Sequence, residues 1–249
     1  MTYIERYLAG EHEAVWHELG GLEAQACGPD IIADAEAVAV ATMGRVATNI
    51  DRLVERLAAQ GYIFGVYPGG DKVACYRGPR GPLDPDELVS IDALEEQVGP
   101  APLSLRVFWR TVGEVNLVGR APGGWIPEYS DPLWIEGPTG GLKDLDDFYA
   151  DDEDRIEGGG FLCPIAPDLL HKDNISGGAP YSIRLPASGF DAPLCDEWHE
   201  TSFVAYLRIA ILDWGGFPGL ARENPYGKWR GDHDLAGWVR GQTMGLVAF

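Results

Sequence analysis

The densest grouping of reactive side chains is Cys195-Asp196-Glu197-Trp198-His199-Glu200, a thiol, an imidazole and three carboxylates within six residues. Cys195 and His199 are types that pair as nucleophile and base, with Glu200 beside them. A thiol-dependent or metal-dependent hydrolase is therefore the enzymatic reading of this chain. Such pairs are assembled by the fold rather than by adjacency, and the same string also reads as a surface turn ahead of a helix capped by Thr201 or Ser202. Other chemical patterns fall short. His12-Glu13-Ala14-Val15-Trp16-His17 is one residue too long for the H-E-x-x-H zinc motif. A calcium loop counted from Asp144 needs Gly at its sixth position and Glu at its twelfth, and meets Tyr149 and Arg155. Ser176 lacks the G-x-S-x-G frame of a nucleophile elbow. Cys27, Cys75, Cys163 and Cys195 form no C-x-x-C pair. No metal or cofactor is expected from these patterns.

Two further groupings point to binding instead. Asp151, Asp152, Glu153 and Asp154 are the centre of an acidic block between Lys143 and Glu157. It reads either as a solvated face or as a docking surface for a basic partner, since charge complementarity favours such encounters. Trp125, Tyr129 and Trp134 cluster within ten positions. They read as aromatic anchors of a recognition surface or as cover for the core edge, because aromatics serve both.

The composition narrows the partners. Thirty-nine acidic residues oppose nineteen basic ones, a formal net charge of −20. Nucleic acid and anionic membranes call for clustered Lys and Arg, so both are disfavoured. A basic protein partner is permitted, and so is the plainer explanation that the charge serves solubility. Four scattered cysteines suit reduced thiols in a cytoplasm. The N-terminus shows no basic region followed by an apolar core, so no signal peptide is expected, and no apolar run reaches membrane length.

The positioning elements follow from periodicity. Residues 2–19 predict an amphipathic helix stopped by Gly20-Gly21. Residues 30–60 predict the longest helix: Ile32, Ala35, Ala39, Met43, Val46, Ile50, Leu53 and Leu57 recur at three and four, with Arg45, Arg52 and Arg56 off that stripe. Tyr62–Tyr67 reads as a strand with Val73–Tyr76 as its returning partner, and Arg77–Pro82 as a linker. Asp84, Pro85 and Glu87 spell a capping box for a helix to Val98, stopped by Gly99. Pro102 opens a second helix bearing Leu105, Phe108, Trp109 and Val112, ended by Gly113, and Val115–Gly119 is a strand. Trp134-Ile135, Phe161–Ile165 and Tyr181–Leu185 read as further strands, and Phe203–Trp214 as an apolar helix. The tail from Phe217 to Phe249 is relatively basic, able to wrap back onto the domain or to pair with the acidic block. The chain is thus α+β: a helical N-terminal section over 1–80 and an α+β module over 84–249, compatible with one continuous domain.

Residues 91–119 carry a family resemblance. Ile91-x-x-Leu94-Glu95-x-x-x-Gly99, then Pro102, Arg106 and Phe108, resembles the opening of the SUKH superfamily, and Ser202-Phe203-x-x-Tyr206-Leu207 resembles its closing helix. The resemblance covers roughly 84–220. It implies an α+β fold with a mixed sheet and flanking helices. Many bacterial members are immunity proteins that bind and neutralise a toxin domain, often a nuclease, and the family brings no shared catalytic residues. The leading expectation is a non-enzymatic cytoplasmic binding protein that occludes a basic toxin cleft. Trp125, Tyr129 and Trp134 would anchor the partner and Asp151–Asp154 would attract it. The alternatives are the hydrolase above and a structural component, homo-oligomeric in some assembly.

Overall fold

The computed structural model describes residues 1–124, 128–148, 160–221 and 235–249. Two short helices, α1 (Tyr3–Leu8) and α2 (His12–Gly20), precede the long helix α3 (Pro29–Ala59). The expected single helix over 2–19 breaks at Gly10, whose φ of +107° lies where non-glycine residues are strained. Arg6 then joins the two pieces, its Nη1 and Nη2 each 2.7 Å from a carboxylate oxygen of Glu18.

Helix α3 starts with Pro29 in its first turn, where the missing N–H costs nothing. It ends in a Schellman motif: Tyr62 N donates to Leu57 O at 3.0 Å and Gly61 N to Ala58 O at 2.9 Å. Its predicted stripe is the spine of the core, with Ala35, Ala39, Met43, Val46, Ile50, Leu53 and Leu57 all fully buried. Each large member contributes about 1.5–3 kcal/mol by leaving water. Helices α4 (Pro85–Val98) and α5 (Leu103–Thr111) follow; α5 packs on α3, and its Leu105, Phe108 and Trp109 are buried. The capping box of α4 forms as its residues predict: Glu87 N donates to Asp84 Oδ1 at 2.9 Å and Asp84 N to Glu87 Oε2 at 3.0 Å.

The strands are short. They are β1 (Ile63–Phe64), β2 (Arg80–Gly81), β3 (Glu114–Asn116), β4 (Gly119–Arg120), β5 (Trp134–Ile135), β6 (Phe161–Ala166) and β7 (Tyr181–Leu185). They form β1–β4, β2–β3–β5 and β6–β7 ladders. Every named pair is antiparallel, where the resemblance implies a mixed sheet. A bond from Glu136 N to Ile165 O, 2.8 Å, ties the end of β5 to β6. Helix α6 (Pro138–Phe148) lies between them in sequence and packs on α4 and β6. Helix α7 (Phe203–Arg208) continues as a π turn over Ile209–Asp213, and α8 (Leu235–Thr243) precedes the tail.

Two local expectations are corrected. The partner of β1 is β4, through Ile63 with Arg120 and Phe64 with Gly119. Residues 71–73 return beside 65–67 only through one bridge, Val66 with Lys72, whose two hydrogen bonds run from Val73 N to Gly65 O at 2.9 Å and from Tyr67 N to Asp71 O at 2.7 Å. The linker segment 77–82 contains β2, whose Arg80 and Gly81 pair with Val115 and Glu114, and Arg80 Nη1 lies 2.8 Å from Asp51 Oδ1 on α3. Backbone pairing accounts for a stretch whose composition alone resembles a tether. One core cluster runs from Tyr7 to Phe249 and draws on both the 1–80 and 84–249 sections.

Candidate functional site

A cleft of about 990 Å³ opens among the described residues. Its volume is at the upper end of small-ligand pockets and is also sufficient for several side chains of a protein segment. One wall is the turn before β2, with Cys75, Tyr76 and Arg77; the floor is β3 and β5, with Asn116 and Trp134; the opposite wall is the Asp168–Ser176 loop and Lys143 of α6.

Each wall has a local cause. Gly65, at φ +70°, lets the Tyr76 ring lie flat on the backbone, since a Cβ there would sit 2.5 Å from the ring. Tyr76 Oη lies 3.4 Å from Asn116 O, and burial pushes its hydroxyl pKa up. Arg77 pairs with Glu87 of the α4 capping box, tying this wall to α4. On the floor, Gly137 N donates to Glu114 Oε1 at 3.3 Å, and Trp134 is half-buried. On the far wall Asp168, at 8% side-chain exposure, is locked as an Asx cap: Leu170 N and His171 N donate to Oδ1 at 2.6 and 3.1 Å. Its other oxygen lies 2.6 Å from His171 Nδ1, and His171 is 48% exposed. A carboxylate that fixes one ring nitrogen orients the other, so His171 presents a positioned, ionisable group in the cleft. Glu87, Glu114, Glu136 and Asp168 line the cleft against Arg77 and Lys143 as fixed cations, so negative charge is in excess.

Among the sequence-derived residues, Trp134 lies in this cleft. Tyr129 does not: it sits on the preceding loop at φ +61°, its N–H bonded to Asp173. Trp125 and Asp151, Asp152, Glu153 and Asp154 lie outside the described residues. Within 195–200 the hydrogen bonding centres on buried Glu197. His199 Nδ1 lies 2.5 Å from Glu197 Oε1, and His199 N donates to Oε2 at 3.0 Å. The His199 ring stacks on Trp198 at 3.6 Å, and its Nε2 is buried without a hydrogen-bond partner. Cys195 meanwhile exchanges backbone bonds with Ser182, at 2.8 and 3.1 Å. The thiol–imidazole pair expected of Cys195 and His199 is not formed: Glu197 takes Nδ1 of the ring, and the other ring nitrogen meets no hydrogen-bond partner. Glu200, at φ +55°, closes the turn by donating its N–H to Glu197 O at 3.1 Å.

Sequence reasoning did not single out Tyr76, Asn116, Asp168 or His171. The one available signal was the spacing Asp168-x-x-His171, which on a helical turn brings a carboxylate and an imidazole to one side. Among the described residues no group of three or more His, Cys, Asp or Glu is arranged to hold a metal ion, and no helix is long and apolar enough to cross a membrane. Comparison with protein-family models, with curated proteins and with solved structures gives no match.

Proposed function

We propose that this chain is a non-enzymatic protein-binding module whose 990 Å³ cleft receives a basic segment of a partner. The observation that carries the reading is the cleft's composition. Half-buried aromatic surface at Trp134 and Tyr76 lies beside the excess carboxylates of Glu87, Glu114, Glu136 and Asp168, in a chain of net charge −20. Aromatic anchors give area at low entropic cost, and like-signed charge steers a basic partner and rejects an acidic one. Together with the SUKH-like residues at 91–119, this supports an immunity-type inhibitor that engages a toxin domain. Asp151–Asp154 would add long-range attraction. Four cysteines with no disulfide support work in a reducing cytoplasm.

The experiment is capture by the tagged full chain from its native lysate at low and high salt, beside the Trp134→Ala/Glu114→Gln/Glu136→Gln variant. A stoichiometric basic partner, lost at high salt and lost by the variant, is the expected result. Equal capture by the variant would remove the cleft from the account.

A second reading rests on Asp168 and His171. A carboxylate-oriented imidazole in a cleft is the arrangement of a general base, so turnover of a bound substrate is the competing activity. Turnover abolished by His171→Ala, in a chain that captures no protein, would favour it. This site replaces the 195–200 cluster as the place to look for hydrolysis.

A further inference from the structure

Residues 244–249 lie along α3 and are held by their main chain. Arg45, Asn49, Arg52 and Arg56 follow one another at i, i+4, i+7 and i+11 along one face of the helix. Arg56 donates to Gln242 O and, at 2.9 Å, to Met244 O. Arg52 donates to Gly245 O at 2.8 Å. Asn49 holds both polar groups of Val247, accepting from its N–H and donating to its carbonyl at 2.8 Å each. Arg45 donates to Ala248 O at 2.9 Å, and Arg208 of α7 to Phe249 O. As the helix numbers rise the tail numbers fall, so the segment runs antiparallel to α3. Met244, Gly245 and Ala248 are exposed, Leu246 is half-buried, and Phe249 is inserted into the core at 1% exposure.

Packing alone does not need this arrangement. A tail held for its side chains would be fixed by apolar contact, whereas five side chains here read carbonyls and one N–H that every sequence possesses. An amide that both accepts from and donates to one residue takes the place of a neighbouring strand, as in peptide sites that bind by main-chain pairing. We infer that this face of α3, closed by Arg208 and by the pocket of Phe249, is a peptide-docking groove, and that residues 244–249 occupy it as a ligand in cis. The groove accepts an unstructured peptide with an aromatic residue at the position of Phe249, and the tail of a second copy meets that requirement. No residue of α3 lines the cleft, so the groove is separate from the proposed partner site.

The test uses the full chain and a fluorescent hexapeptide, Met-Gly-Leu-Val-Ala-Phe. Val247→Pro removes the N–H that Asn49 accepts, and Phe249→Ala empties the pocket, so together they loosen the cis ligand. Fluorescence anisotropy is expected to show the peptide binding the Val247→Pro/Phe249→Ala chain about tenfold or more tightly than the unmodified chain, since the competing tail has lost one hydrogen bond and the burial of a phenyl ring. Adding Asn49→Ala should abolish that gain. Phe249→Ala alone, which leaves every tail hydrogen bond in place, serves where the double variant does not fold and should show a smaller gain. No binding to either folded variant, or binding indifferent to Asn49→Ala, would overturn the inference and leave the tail as ordinary packing.

Discussion

Lys172 Nζ lies 2.6 Å from Asp131 Oδ1, and neither side chain is exposed to solvent. The pair does not stand alone: Tyr181 Oη donates to Asp131 Oδ2 at 3.1 Å, and the ammonium sits 4.6 Å above the Tyr181 ring. This network joins the loop before β5 to the loop that carries His171, so it holds the floor and far wall of the cleft in register. Removing one partner leaves a buried charge, which costs about 3–5 kcal/mol. Asp131→Asn, which tolerates the φ of +51° at that position, and Lys172→Met should each destabilise on that scale in urea unfolding. The double variant should cost clearly less than the sum.

Asp173, one residue further on, sets a pH dependence. Burial pushes its carboxyl from 3.8 up to about 6; the Tyr129 N–H and the Lys172 charge oppose the rise, while Glu128 and Asp131 add to it. The folded state therefore binds a proton more readily than the unfolded state. The stabilisation is full below about pH 4 and is lost as pH climbs through 6. Asp173→Asn should flatten the fall in stability between those values. Thermal melts across the range check it, and parallel curves for the two proteins would contradict it.

Gly113 allows β2 to approach the end of α5. It adopts φ +85°, and a Cβ there would land against the Gly81 carbonyl and 2.8 Å from Pro82 Cα. Gly113→Ala therefore combines backbone strain with a steric clash. It should cost about 1–3 kcal/mol, read as a lower Tm. A neutral substitution would mean that β2 shifts freely and is not anchored by its ladder.

The acidic block enters through kinetics. Neutralising Asp151, Asp152, Glu153 and Asp154 to Asn and Gln should lower the association rate with a basic partner and flatten its dependence on ionic strength, while the dissociation rate changes little. Stopped-flow or surface-based kinetics at two salt concentrations separate the two. Unchanged association would remove the block from the account.

Helices α3, α4 and α5 were legible because each obeys a local rule. The α3 stripe, the Asp84–Glu87 box and the Gly61 stop are written within single segments, and the structure forms all three. The strands were less legible, since their pairing is non-local. Nothing near Ile63 names Arg120 as its partner, and nothing in Arg77–Pro82 reveals that Val115 waits for Arg80. The cleft suffered for the same reason. Trp134 could be noticed by type, but Tyr76 and His171 enter only when three separate loops converge. At 195–200 the reactive types were present, yet Glu197, the least conspicuous of them, captured the imidazole.

Plugging the cleft tests the central claim most directly. Cys75 is exposed and lines it, whereas Cys163 is buried and Cys27 and Cys195 are half-buried. In a Cys27→Ser/Cys195→Ser background, a bulky maleimide on Cys75 should abolish partner binding, and bound partner should protect Cys75 from the reagent. Partner binding that survives complete modification of Cys75, with no protection of the thiol in the complex, would contradict the assignment of this cleft as the binding site.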